Sequence, residues 1–139
     1  MSLALDPFPP AELLTQEVLR QVMVDLKGRV YSSVPSRPDY PFLTIRRVGG
    51  IPAVRERLDR ASLQIDVWGN NKTEALDVAH RARVELLSMS GTSYLKADGW
   101  PVDAYVTGVE DELGLSFLED HVTGKDRYLF GVAVYLHSL

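Results

Sequence analysis

The residues whose types suit chemistry are three histidines, two adjacent carboxylate pairs and a cluster of arginines. His80 falls in a helical segment, His121 in a loop and His137 near the C-terminus, and no two of them share the close spacing of a metal motif. The pairs Asp111-Glu112 and Glu119-Asp120 have the composition of a general acid with a base, or of a divalent-cation site. Neither pair has a neighbouring set of ligands, and acidic turn residues in a solvated loop are the plainer reading. No serine lies in a Gly-x-Ser-x-Gly elbow, so acyl transfer has no positive support. Gly49-Gly50 is followed by Ile51-Pro52 and not by a helix start, which leaves nucleotide phosphates without a cradle. With no cysteine, thiolate metal sites, disulfides and thiol nucleophiles are ruled out. The expectation is a protein without catalytic residues, cofactor or metal.

The arginines are the strongest local bias. Arg46, Arg47, Arg55, Arg57 and Arg60 are five of the fifteen basic residues, gathered between positions 46 and 60. Planar guanidinium groups on an extended arm suit bidentate contacts with carboxylates of a neighbouring subunit. Asp111, Glu112, Glu119 and Asp120 are the matching acidic candidates, and such head-to-tail contacts close into rings. The plainer alternative is a loop kept soluble by its charge. Trp68 and Trp100 each sit at a strand end beside a turn, where a large amphipathic ring caps a core or anchors an interface. Core capping is the commoner role, and Trp68 is carried among the interface candidates.

These residues need elements to position them. Prolines before Ala11 suit a helix start, and Leu14, Val18, Val22 and Leu26 follow at four-residue steps, predicting a helix from Pro9 to Lys27 that Gly28 ends. Residues 30–34 read as a short strand, followed by an extended crossing with Pro35, Pro38 and Pro41. Phe42 to Val48 resumes as a strand, and the stretch from Gly49 to Arg60 reads as a long, mobile hairpin loop. Leu63, Ile65 and Val67 alternate with Ser62, Gln64 and Asp66, the period of a strand with one buried face. Asn71 with Glu74 predicts the N-cap of a helix from Lys72 to about Met89, with Ala75, Ala79, Ala82, Leu86 and Met89 as its apolar stripe. Between Ser90 and Gly99 the signals are mixed; Tyr94 and Leu95 suit a short strand that does not enter the element order. Val102, Ala104 and Val106 start a strand towards Glu110, and acidic turns then frame a short segment from Leu115 to Leu118. Residues 128–136 are β-branched and aromatic and read as a central strand.

The order α-β-β-β-α-β-β predicts an α+β fold, a mainly antiparallel β-sheet with two helices packed on one face. A chain of 139 residues has the length of one domain, and 45% apolar with 24% charged residues is an ordinary globular composition. The formal charge of −4 argues against non-specific nucleic-acid binding. No signal-peptide pattern and no membrane-length apolar run appears, so the expectation is synthesis in a cytoplasm and no membrane partner.

This arrangement resembles the tail terminator (tail completion) proteins of long-tailed bacteriophages, including the small family similar to the lambda minor tail protein U. The resemblance rests on the N-terminal helix, Val30-Tyr31 with Val34-Pro35, and Tyr40-Pro41-Phe42-Leu43-Thr44-Ile45. It continues through Leu63-Gln64-Ile65-Asp66-Val67-Trp68-Gly69, the helix around Glu74-Ala75-Leu76-Asp77-Val78-Ala79, and the strand Arg127-Tyr128-Leu129-Phe130-Gly131-Val132. The resemblance implies a virion subunit at the head-tail junction that forms a ring, commonly a hexamer. Such a ring stops tube growth and presents a surface for head joining. Its implied partners are copies of itself, the tail tube protein and a head-completion or connector protein, with no sequence-specific nucleic acid. Two alternatives stand beside it: another connector or neck protein that binds the portal side, and a small metal- or ligand-binding domain using the acidic loops. The arginine-rich segment is longer and more charged than a minimal hairpin needs. Replacing Arg55 and Arg57 with Glu is expected to weaken self-association while the monomer stays folded, since exposed loop charges contribute little to stability. Sedimentation velocity together with circular dichroism checks both halves of that expectation.

Overall fold

In the computed structural model, residues 10–54, 58–119 and 124–139 are described. Two helices, α1 (Ala11–Val22) and α2 (Lys72–Leu87), accompany seven strands: β1 (Val30–Tyr31), β2 (Phe42–Gly49), β3 (Pro52–Val54), β4 (Leu58–Trp68), β5 (Thr92–Tyr94), β6 (Ala104–Glu119) and β7 (Asp126–Ser138). They form one sheet in the order β1-β2-β4-β7-β6-β5, with β3 paired to β4. All pairings are antiparallel except β1 with β2. The fold is the expected α+β arrangement, a mainly antiparallel sheet with two helices, and three of its details differ from the sequence reading.

The period-2 pattern of β4 holds. Leu63, Ile65 and Val67 enter the main core, where Leu43 and Ile45 of β2 and Phe130, Val132, Val134 and Leu136 of β7 meet them. The helices supply the other half of that core: Leu14, Val18 and Leu19 from α1, and Ala75, Val78, Ala79, Ala82 and Leu86 from α2. Alanines at three of these α2 positions let the helix lie close to the sheet. Each large aliphatic side chain buried here contributes on the order of 1.5–3 kcal/mol. The α2 start is built as predicted, with Asn71 Oδ1 accepting from the Glu74 backbone N–H at 2.8 Å and Glu74 accepting in return from the Asn70 backbone N–H at 2.8 Å.

The first difference is the end of α1. The helix stops at Val22, which is 46% exposed, and a 3-10 turn over Val24–Leu26 follows. The three-residue spacing of Met23 and Leu26 suits that tighter turn, and both are buried in the core. Lys27 then takes the left-handed conformation at φ 52°. The second difference lies between Gly49 and Arg60. Part of the expected loop is strand, because β3 pairs with the start of β4. Arg55 and Arg57 lie outside the described residues. The third is β6, which runs unbroken for 16 residues through the acidic Glu110-Asp111-Glu112 and on to Glu119, where a strand ending near Glu110 and a separate short segment were expected. A short β5 also forms at Thr92–Tyr94.

Gly50 makes the second difference possible. Its φ is +102°, and a Cβ there would lie 2.0 Å from the Arg60 carbonyl oxygen and 2.9 Å from the Ser62 nitrogen. Gly28 also has a positive φ, of +80°, but a Cβ added to it would meet nothing within 4 Å. Gly50→Ala is therefore expected to destabilise the fold by roughly 2 kcal/mol or more, and Gly28→Ala by only about 1 kcal/mol, the left-handed penalty alone. Urea denaturation of the two variants side by side measures the difference, and equal losses would contradict the close-approach account.

Candidate assembly surfaces

The sheet has a helix-covered face and an open one. On the open face Phe42, Thr44 and Arg46 of β2 lie beside Ser62, Gln64, Asp66 and Trp68 of β4, with Arg127, Gly131, Ala133 and Tyr135 from β7. This face is not simply solvated. Phe42 and Trp68 stack at 4.7 Å with their planes 9° apart, Tyr31 and Tyr40 flank Phe42, and the Arg127 guanidinium sits 5.6 Å from the Trp68 ring centre. Phe42 and Trp68 are buried although both lie outside the main core. Trp68 thus caps the open face at one end of the sheet.

Beside that aromatic group lies a cavity of about 270 Å³ lined by Ser32, Ser33, Val34, Thr44, Arg46, Asp66, Trp68 and Arg127. Asp66 is buried, pairs with Arg127 at 3.2 Å and accepts from Gln64 Nε2 at 2.8 Å. Arg127 Nε is buried without a hydrogen-bond partner among the described residues. The cavity therefore offers two cations against one carboxylate, with hydroxyls between them. This chemistry suits an acceptor for an anionic group and contains no nucleophile paired with a base.

Further along the open face a polar chain crosses three strands. Arg60 pairs with Glu112 through Nη2 and donates from Nε to the Tyr135 hydroxyl at 3.0 Å. That hydroxyl donates on to Glu110 at 2.7 Å, and the Ser62 hydroxyl donates to Glu112 at 3.2 Å. The hydrogen bonds to Tyr135 and then to Glu112 raise the Arg60 pKa above its ordinary value. On the helix face Arg83 of α2 forks onto Asp111. Arg81 forks onto Asp25 at 3.0 and 2.8 Å, and its hydrogen bond holds the Asp25 carboxyl below the usual carboxylate range. Arg47 forks onto the buried Asp59 at 2.7 and 3.0 Å.

Of the arginines read as an arm, Arg47 and Arg60 are thus strand residues engaged within the chain. Arg46 is exposed and has no ion-pair partner among the described residues. Asp111 and Glu112 have cations of their own, Glu119 has none among the described residues, and Asp120 lies outside them. Sequence reasoning missed Arg83 and Arg127. Each is joined to a carboxylate 28 or 61 positions away, a pairing that no local spacing signals. His80 is exposed, His137 packs on Tyr105 with 5.4 Å between ring centres, and His121 lies outside the described residues. No group of three metal-ligating side chains occurs among the described residues, and no helix among them is long and apolar enough to cross a membrane.

The Arg47–Asp59 pair is the buried ion pair with the clearest energetic consequence, since Asp59 is nearly inaccessible while Arg47 is about a third exposed. Arg47→Met leaves that carboxylate without its fork and is expected to cost roughly 2–3 kcal/mol, below the 3–5 kcal/mol of a fully buried pair because solvent reaches the guanidinium. Adding Asp59→Asn to the Arg47→Met variant should recover part of the loss. Thermal and urea unfolding of the single and double variants tests the coupling.

No curated protein matches this sequence. A solved structure described as the virion of a native gene transfer agent (GTA) particle contains a chain with the same fold. The two superpose with a TM-score of 0.68 at 15% identity, covering 92% of this chain and 95% of the other. Residues 11–96, from α1 through β5, match the family described as tail completion protein gp17. That match takes in α1, both strands flanking the arginine cluster and the α2 helix that carries Arg81 and Arg83, so the chain belongs to the tail completion protein gp17 family, structural proteins of the phage tail.

Proposed function

We propose that this protein is the subunit of a ring, commonly a hexamer, that caps the head-proximal end of a tail tube, ends tube growth and presents the surface that joins the head. The family match over residues 11–96 is the observation that carries the reading. The physical character of the molecule supports it. A seven-stranded sheet with helices on one face is a stiff body, and its open face is crossed by hydrogen-bonded ion pairs that fix side chains in place. A subunit stacked between a tube and a head needs that rigidity more than it needs a reactive pocket.

Its partners in this reading are further copies of itself, the tail tube protein and a head-completion protein, within the virion at the head-tail junction. Because Arg47 and Arg60 have carboxylates inside the chain, arginine-mediated contacts between copies draw on Arg46 and, in the sequence, on Arg55 and Arg57. Trp68, Asp111 and Glu112 act in this reading by shaping the surface, and Glu119 and Asp120 offer acidic contacts.

Native mass spectrometry over a concentration series, with negative-stain images of the same samples, is expected to give closed rings of one stoichiometry, alone or on addition of tail tubes. Co-sedimentation with tubes and not with portal complexes assigns the tube side. A protein that stays monomeric in the presence of tubes would overturn the ring.

A further inference from the structure

The two long edges of the sheet are treated differently. On the β2 edge the backbone is already occupied: Gln16 Nε2 donates to the Ile45 carbonyl at 3.0 Å, Glu12 accepts from the Arg47 N–H at 2.7 Å, and β1 covers Leu43 and Thr44. On the other side β5 covers β6 only at Ala104–Val106, and the Ser90 hydroxyl meets the Val109 N–H. From Glu110 to Glu119 the outer backbone of β6 has no strand beside it among the described residues.

A bare edge ten residues long is an invitation to pairing, and proteins usually guard such edges with charge. Here two of the four carboxylates on the edge are neutralised, one from each side. Arg83 reaches Asp111 from the helix face, and Arg60 reaches Glu112 from the open face. Two leucines on the same stretch stay exposed, Leu113 at 49% and Leu118 at 37%. Two of the guard charges present in the sequence are thus cancelled in the structure, which leaves an edge able to accept another strand of complementary charge.

The charges that remain indicate the occupant. Among the described residues Glu119 at one end of the edge lacks a cation, and Glu110 accepts a hydrogen bond from the Tyr135 hydroxyl but has no ion-pair partner. The opposite side of the sheet carries Arg46 on β2 and Arg37 in the segment before it, both exposed and without ion-pair partners among the described residues. Two copies of β6 paired antiparallel about the middle of the stretch would set Glu110 against Glu119, like charge on like. A head-to-tail arrangement sets acid against arginine and is heterologous, the kind of contact that closes a ring.

We propose that the outer edge of β6, Glu110 to Glu119, is the docking strand for the opposite side of the sheet in a second copy of this chain, at its β3 end, where β2 is no longer covered by β1 and α1. This rests on the ring reading and adds where the ring is joined. Among the described residues β3 pairs only with β4, so on that second side its outer backbone offers hydrogen-bonding groups, except at Pro52, which has no N–H.

The test is hydrogen exchange on monomer and assembled protein, with the assembly state measured separately by native mass spectrometry. Amides of residues 110–119 are expected to exchange at least tenfold more slowly in the assembly than in the monomer. Leu118→Glu, a change at an exposed position, is expected to raise the concentration needed for assembly by about tenfold while circular dichroism of the monomer is unchanged. Rings that form with residues 110–119 unprotected, and with Leu118→Glu assembling normally, would overturn the docking strand and leave the ring standing. Failure to assemble even with tail tubes would overturn both.

Discussion

The pairing of β4 with β7 is the constraint on which the other elements depend. Ten consecutive residue pairs, from Asp59 opposite Leu136 to Trp68 opposite Arg127, hold one register with no bulge. Side chains alternate between the faces, so this single register decides which residues enter the core and which form the open face. Leu63 beside Val132 and Ile65 beside Phe130 then present a continuous apolar surface for the helices. A slip of one residue would instead turn Gln64 and Asp66 into the core. The ion pair of Asp66 with Arg127 belongs to the same register, because these residues stand close only when Trp68 lies opposite Arg127.

Once the central pair is set, the arginines act as struts between elements that lie far apart in the chain. Arg47 ties β2 to the start of β4, Arg60 ties β4 to β6, and Arg83 ties α2 to β6. Guanidinium geometry suits this work, since a fork holds both position and orientation of a carboxylate. Most of these pairs are partly exposed, so their individual contributions to stability are small, and their effect lies in fixing a surface. On the ring reading proposed above, this suits a virion subunit, because side chains already held in place lose little entropy on assembly.

The same struts alter the meaning of the acidic strand. A run such as Glu110-Asp111-Glu112 would ordinarily belong to a solvated turn, because adjacent carboxylates repel and strands disfavour them. Alternation in the strand sends Asp111 to the helix face and Glu112 to the open face, and each finds its own arginine there. Neutralisation in two directions lets the strand continue, and it explains how one long β6 replaces the two shorter segments expected between Val102 and Leu118.

By itself the sequence determined the α+β class, the α2 helix with its Asn71 cap, the alternating core face of β4 and the central character of β7. Each of these follows from periodicity or from a contact within four residues, and such signals are written along the chain. The resemblance to tail completion proteins was legible for the same reason, since it rests on the order and spacing of these elements. Tertiary structure decided the rest. The turn of α1 at Val22 follows from where Met23 and Leu26 find the core, and the strand pairing on either side of residues 55–57 from the close approach that Gly50 permits to Arg60. The partners of Arg47, Arg60, Arg83 and Arg127 lie from 12 to 61 positions away. An arginine cluster in sequence therefore reads as one arm, while in space its described members are divided between β2 and β4, and the fold alone chooses which distant carboxylates Arg47 and Arg60 meet.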